Sequence, residues 1–166
     1  MQDREEQLRA ALDPDSDFKN VLDALQAAKA RFEKELLVHE RAVQSAAGSP
    51  FEQPQKVYYL LSLLAEYSKE RSVHGGRLPL KAWLEERGCP FAYATGESEP
   101  TLNDPEGRRQ RTLSHDGSAV VLEKHLKLGH GFDPKFCCRI YFAVLESEDG
   151  KILIGLVGRH PKTAGS

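Results

Sequence analysis

The sequence predicts an α+β protein, with a helical N-terminal half followed by a small antiparallel β-sheet of about four strands. Three observations support this class. Apolar residues recur at helical spacing over the first half of the chain. Two runs rich in Ile, Val and aromatic residues, 137–145 and 152–157, are typical of strands. The acidic connector between them ends in Asp149-Gly150, and glycine accepts the positive φ that a tight hairpin turn needs.

The first predicted unit is a helical segment over residues 1–47, suited to oligomerisation or to docking of a partner. Asp13-Pro14 ends a short helix, because the residue before proline is pushed out of helical geometry. One long helix then runs to about residue 46, capped by an Asp or Ser at positions 15–17. Its apolar stripe has heptad-like spacing and consists of Phe18, Leu22, Leu25, Phe32, Leu36 and Val43. We expect this stripe to pack against the protein's own helices or a second copy.

The second predicted unit is an α+β domain over residues 55–166, after a linker rich in Gly and Pro. A helix over 55–72 has a broad apolar face. A short helix over 80–87 is anchored by Trp83 and Leu84 and closed by Gly88, which suits the left-handed C-cap position. The predicted strands are 91–94, a strand that follows the basic run 108–113, and the two strands of the C-terminal hairpin. After a turn at Asp116-Gly117, residues 120–128 form either a strand or one helical turn that leads into a strand.

Composition and charge limit the classes of protein to which this chain can belong. The net charge of −2 argues against non-specific coating of nucleic acid. Residues 1–100 carry 13 Lys or Arg against 17 Asp or Glu, whereas residues 101–166 carry 10 against 8, so the C-terminal part suits an anionic ligand better. Three cysteines, two of them adjacent, form no disulfide framework, which favours the reducing cytoplasm. The N-terminus is charged rather than signal-like, and no apolar run is long enough to span a membrane.

Residues able to perform acid–base chemistry on a phosphate gather in the C-terminal sheet. Counting outward from the turn pairs position 139 with 158, which puts Arg139 beside the strand end that carries His160. Tyr141 shares a face with Arg139, because strand side chains repeat every two residues. His125 lies in the preceding strand. Metal-free RNA cleavage needs groups that move protons and a guanidinium that holds charge on phosphorus, and these residues supply both.

Each of these residues also has an interpretation without catalysis. A histidine at a strand edge is more often a surface residue, Arg139 would discourage edge-to-edge aggregation, and Tyr141 would be core. A zinc site would have to draw on His125, His130, Cys137 and His160. Such a site is not supported, because the chain has no Cys-x-x-Cys pair. A glycine-rich phosphate loop is also missing, so we expect neither a metal nor a cofactor.

The order of motifs in the C-terminal part resembles a known family. It runs His-Leu-Lys-Leu-Gly at 125–129, Arg-Ile-Tyr-Phe at 139–142, an acidic turn, an apolar strand and Gly-Arg-His at 158–160. Over residues 110–160 this order is similar to that of the RelE/HigB-type toxin ribonucleases. The resemblance implies a small antiparallel sheet packed against helices and a metal-independent mRNA endonuclease. The positions that match the family are His125, Lys127, Arg139 and His160.

The leading hypothesis is a metal-independent RNA endonuclease of a toxin–antitoxin or defence system, cleaving by acid–base chemistry at the ribose 2′-OH. The predicted catalytic residues are His125, Arg139, Tyr141 and His160. The predicted substrate-binding residues are Lys127, Arg108, Arg109, Arg111 and Arg159. The expected partners are RNA, an antitoxin or other protein, and a second copy bound through the N-terminal helices. The alternative is a non-enzymatic interaction module, with helices that dimerise and a sheet that binds a protein partner or a nucleotide ligand.

Overall fold

Helices of the N-terminal half pack on one face of a central β-sheet, which confirms the α+β class. The computed structural model describes residues 17–74, 79–88, 92–95, 105–122, 124–129, 131 and 133–158. In chain order the described elements are α1 (Val21–Arg31), β1 (Leu36–Val38), α2 (Glu40–Ala47), α3 (Pro54–His74), α4 (Leu80–Glu86), β2 (Ala92–Thr95), α5 (Pro105–Gln110), β3 (Thr112–His115), β4 (Ser118–Val121), β5 (Lys124–Gly129), β6 (Cys137–Leu145), a 3₁₀ turn (Glu146–Glu148) and β7 (Lys151–Gly158). No described helix combines the length and the apolar character that a membrane crossing requires.

The main sheet has the strand order β1-β7-β6-β5-β2. The pairs β7–β6, β6–β5 and β5–β2 are antiparallel, whereas β1 runs parallel to β7. Strands β3 and β4 form a separate two-stranded hairpin. The expectation of about four antiparallel strands therefore needs correction in the described residues. The main sheet is mixed and has five strands, because a segment of the N-terminal half joins its edge.

The prediction of one continuous helix to about residue 46 is wrong. Helix α1 ends at Arg31, and the next residues turn into strand β1. The run Leu36–Val38 pairs with β7, where the backbone N–H of Ile152 donates to Glu35 O over 3.0 Å. The helical spacing of apolar residues does not by itself keep this run in a helix. Leu and Val also suit a pleated strand surface, and the ladder bonds to β7 stabilise the strand. The N-cap is Asn20, whose side chain accepts a hydrogen bond from Asp23 N at 2.9 Å.

The predicted packing of the apolar stripe on the protein's own core is confirmed, although its residues occupy several elements. Leu25 and Leu36 are buried in the core shared with helix α3. The rings of Phe18 and Phe32 lie 5.0 Å and 6.0 Å from the ring of Tyr58, measured between centroids. A homodimer formed through the N-terminal helices stays a prediction.

The helices predicted over 55–72 and 80–87 are confirmed as α3 and α4. The apolar face of α3 is buried at Val57, Leu60, Leu61, Leu64 and Tyr67. Trp83 of α4 packs edge-on against Tyr67 at 5.4 Å, and Gly88 takes a φ of +67° after the helix. Alternate residues of the sheet complete this core, among them Leu126, Ile140 and Ile152. Segments on both sides of the predicted linker thus share one hydrophobic core.

The C-terminal hairpin is confirmed, and so is its register. Strands β6 and β7 are antiparallel, and Arg139 pairs with Gly158 as counted from the turn. Asp149 and Gly150 both have positive φ, +58° and +75°. The ladder contains a bulge: Tyr141 pairs with Leu156 and Phe142 with Ile154, which leaves Gly155 as the extra residue on β7.

The β3–β4 hairpin lies over the sheet face opposite the helices. Its Leu113 and the adjoining Leu122 form a second apolar cluster with Tyr141, Leu145 and Leu153. Close approach of this hairpin depends on Gly155, because a Cβ there would overlap the side chains of Leu113 and Leu122. The glycine is therefore required for packing and not for an unusual φ.

We expect the substitution Gly155→Ala to lower the free energy of unfolding by about 1–3 kcal/mol, since the added methyl group overpacks the interface with the hairpin. Urea unfolding measures the change. Gly48→Ala is the matched control, because a Cβ at Gly48 would have its nearest contact at 3.9 Å, to Ser45 O. Equal stability of the two variants would show that the side chains of Leu113 and Leu122 move aside at little cost, and that Gly155 does not limit the approach of the hairpin.

Candidate functional site

Four of the predicted site residues lie on the sheet face that the β3–β4 hairpin covers. Side chains alternate along a strand, so Leu126 and Ile140 enter the helical core while their neighbours point to the other face. The register then sets His125 of β5 opposite Tyr141 of β6, and Lys127 opposite Arg139. Both strands lie inside the sheet rather than at its edge. The interpretation of Arg139 as an edge charge is therefore wrong.

His125 and Tyr141 form a stacked pair. Their ring centroids are 4.6 Å apart and the ring planes are inclined by 21°. His125 is 8% exposed and Tyr141 is fully buried, as expected for a core tyrosine. The stack holds the plane of the imidazole ring, so a substrate would meet this histidine in a fixed orientation.

Arg111 reaches the same aromatic pair from the hairpin side. Its guanidinium carbon lies 5.5 Å from the centroid of the Tyr141 ring, and its Nη1 donates to Gly107 O over 2.9 Å. The side chain is 1% exposed. Arg41 of α2 fixes the backbone on either side of Arg111: its two terminal nitrogens donate to Gln110 O and Thr112 O, each over 2.7 Å. These bonds position Arg111 over the sheet.

Arg139 is the most unusual member of this group. The side chain is 6% exposed on a central strand, yet its Nε has no hydrogen-bond partner among the described residues. Within the same residues no carboxylate forms an ion pair with it. A buried guanidinium without a counter-charge is costly unless an anion accompanies it. We call Arg111, His125, Arg139 and Tyr141 the basic cluster.

The remaining predicted residues lie elsewhere. Lys127 is half-buried beside the cluster, opposite Arg139. Arg108 and Arg109 are exposed on α5. Arg109 forms an ion pair with Glu106 at 2.7 Å, and the hydrogen bond to that carboxylate raises the pKa of Arg109. The other predictions, for Arg159 and His160, fall outside the described residues, as does His130.

Two contacts of the β3–β4 hairpin region were not predicted from the sequence. One is the support of Arg111 by Arg41, which lies far from it in the chain. The other joins His115 Nε2 to Glu148 Oε2 over 2.7 Å. His115 and Glu148 each lie next to a turn that the sequence indicates, but no spacing rule connects the two turns. Only the tertiary fold brings them together.

The adjacent cysteines of β6 are both free thiols and point to opposite faces, as predicted. Cys138 enters the helical core and is fully buried. Burial raises the pKa of the Cys138 thiol to about 12, with a smaller contribution from the neighbouring Cys137. Cys138 therefore has no nucleophilic role near neutral pH.

Comparison of the chain with protein-family models, with curated proteins and with solved structures found no match.

We expect the buried Cys138 thiol to make the protein less stable at alkaline pH. The unfolded chain loses this proton above its ordinary pKa of 9.0, whereas the folded protein keeps it until about 12. The thiol contributes its full stabilisation below pH 9 and loses it progressively towards pH 12, by up to about 1.4 kcal/mol per pH unit. Urea unfolding at several pH values should show a flatter dependence in Cys138→Ala. Equal slopes in the two proteins would contradict the shift.

Proposed function

We propose that the protein is a metal-independent RNA endonuclease that acts in the cytoplasm, with the basic cluster as its phosphate-binding and catalytic site. Arg139 carries the argument. The residue is 6% exposed, its Nε is buried without a hydrogen-bond partner, and no carboxylate pairs with it among the described residues. It lies two residues from the His125–Tyr141 stack on the same face. A phosphodiester group would supply the missing negative charge.

Charge and geometry are suited to a phosphate. A guanidinium presents parallel N–H donors that match two oxygens of one phosphate or one carboxylate, whereas a chloride ion offers no such pair of oxygens. Lys127, opposite Arg139 in register, adds a second positive charge on the same face. Arg108 is exposed on α5 and offers a further positive charge to the phosphates of a longer strand, whereas the charge of Arg109 is already paired with Glu106.

In the proposed reaction one group removes the proton of the ribose 2′-OH, and the 2′ oxygen forms a bond to phosphorus. The bond from phosphorus to the 5′ oxygen breaks, and a second group protonates the departing oxygen. The products carry a 2′,3′-cyclic phosphate and a 5′-hydroxyl. His125 serves one proton transfer and His160, outside the described residues, serves the other. Arg139 holds the charge that develops on the phosphate oxygens.

The burial of the cluster adds a requirement. Tyr141 and Arg111 are buried and do not touch RNA in the described arrangement. Tyr141 holds the imidazole in place by stacking, and Arg111 contributes positive charge to the site. Only His125 and Arg139 retain some exposure, 8% and 6%. A polymeric substrate therefore reaches them only after a local opening. An antitoxin-like protein that prevented this opening would inhibit the enzyme.

The same burial favours a second candidate function, the binding of a nucleotide without cleavage. A single phosphate group needs less access to Arg139 than a polymeric strand does, and a largely buried site is typical of small-ligand binding. This candidate corresponds to the interaction module in which the sheet binds a nucleotide. It requires Arg139 for affinity but does not require proton transfer by His125.

We expect inorganic phosphate or adenosine monophosphate to stabilise the wild-type protein, and Arg139→Met to remove that effect. At a ligand concentration of 100 times Kd the gain is about 2.7 kcal/mol. The variant itself should be as stable as the ligand-free wild type or more stable, because it removes a buried charge that has no partner. Thermal unfolding with and without ligand measures both effects.

Arg31→Met is the control for this measurement, since Arg31 is an exposed arginine on α1. It should keep the ligand-dependent gain. Two results would contradict the proposed anion site: an equal gain in Arg139→Met, or a loss of several kcal/mol in that variant without ligand. The second result would mean that Arg139 already has a stabilising counter-charge.

Cleavage of RNA by the purified protein in excess chelator tests the enzyme itself. We expect His125→Ala, His160→Ala and Arg139→Ala each to lower kcat about a hundredfold or more, because proton transfer and charge stabilisation each contribute at least that factor. Tyr141→Phe should keep the stacking and lower kcat less. Arg31→Ala should cleave as the wild type does. Phosphate binding without cleavage of any RNA would favour the nucleotide-binding candidate, and cleavage unaffected by all of the substitutions would exclude this site.

A further inference from the structure

Two turns that are distant in sequence meet at one end of the sheet. His115 is the last residue of β3 and Asp116 follows it in the hairpin turn, while Glu148 ends the 3₁₀ turn between β6 and β7. His115 Nε2 lies 2.7 Å from Glu148 Oε2 and 3.5 Å from Asp116 Oδ2. One ligand-type atom from each of the three residues lies within 4.8 Å of the others.

These separations are close to those of a metal coordination shell. Zn²⁺ binds His nitrogen and carboxylate oxygen at about 2.0–2.2 Å, so neighbouring ligand atoms in a tetrahedral site are about 3.3 Å apart. Metal binding would require the 2.7 Å contact between His115 and Glu148 to lengthen and the wider separations to shorten to that spacing. Glu148 and His115 are partly buried and Asp116 is 80% exposed, so an ion could enter from solvent and keep water in its remaining position.

We propose that His115, Asp116 and Glu148 form a binding site for a divalent transition-metal ion, with Zn²⁺ as the best match. Two carboxylates beside one imidazole bring two negative charges into a small volume, which a dication would neutralise. One nitrogen with two oxygens suits Zn²⁺ and its neighbours in the first transition row. Mg²⁺ and Ca²⁺ favour shells of oxygen alone. This proposal departs from the expectation that the protein binds no metal, for which the only zinc site considered was one drawn from His125, His130, Cys137 and His160.

The ion would act as a clamp on the β3–β4 hairpin. The base of this hairpin is already held by Arg41 and by the hydrogen bond from Leu122 N to Arg111 O, 2.7 Å long. In its middle, Ser114 O bonds with His39 Nε2 at 3.2 Å. The turn is held to the main sheet by His115–Glu148. A metal ion would replace that one hydrogen bond with three coordinate bonds and so slow the opening of the hairpin.

Titration of untagged, chelator-stripped protein with Co²⁺, followed by displacement with Zn²⁺, tests the site. We expect one equivalent of Co²⁺ to bind, with visible absorption bands that Zn²⁺ abolishes. Each of Glu148→Gln, His115→Gln and Asp116→Asn should weaken binding about tenfold or more, because each removes a ligand. Glu86→Gln, an exposed carboxylate change on α4, should bind as the wild type does. Asp116 is highly exposed, so its variant reports on binding even if another variant folds poorly.

Hydrogen exchange distinguishes a metal ion that holds the β3–β4 hairpin in place from one that only binds to the protein surface. Zn²⁺ should slow exchange of the amides in residues 112–121 of the wild type and leave Asp116→Asn unchanged. Binding that is equally tight in all three ligand variants, no binding at millimolar Co²⁺, or binding without any change in exchange would overturn the proposal. RNA cleavage in chelator does not involve this site, so the two proposals can fail separately.

Discussion

The pairing of β6 with β7 is the interaction on which the rest of the structure depends. It is the centre of the sheet, and both of its faces are covered, one by helices and the other by the β3–β4 hairpin. The bulge at Gly155 decides how closely the second layer can approach. A shift of register by one residue in this pair would exchange the residues of the two faces, putting Arg139 into the helical core and Ile140 under the hairpin.

The period of two along β5 and β6 explains how the chain combines a core with a candidate site. Ile140 and Leu126 supply apolar area to one layer, and the residues between them supply charge and aromatic rings to the other. The site is therefore held by strands that cannot move without disrupting the core. Rigid placement of this kind suits a group that must meet a phosphate in one orientation. The basic cluster has little freedom to adapt to a different ligand shape.

Local signals in the sequence predicted the hairpin, its pairing of Arg139 with position 158, helices α3 and α4, and the shared face of Arg139 and Tyr141. Each depends on turn chemistry or on periodicity within one element. The break of the N-terminal helix was not predictable in this way, because β1 forms only by pairing with β7. The position of Arg111 over Tyr141 depends on the docking of the hairpin, and the run of basic residues at 108–111 did not distinguish this buried arginine from its exposed neighbours.

The parallel strand β1 has a consequence for how the protein is made. Leu36 emerges early from the ribosome, but its partner Ile152 is among the last described residues to be synthesised. Contacts between such distant positions form slowly, because a long loop must close first. During synthesis β1 cannot pair until β7 has been made, although the helices on either side of it can already pack on α3. This strand is thus among the first elements to be made and among the last to be fixed in place.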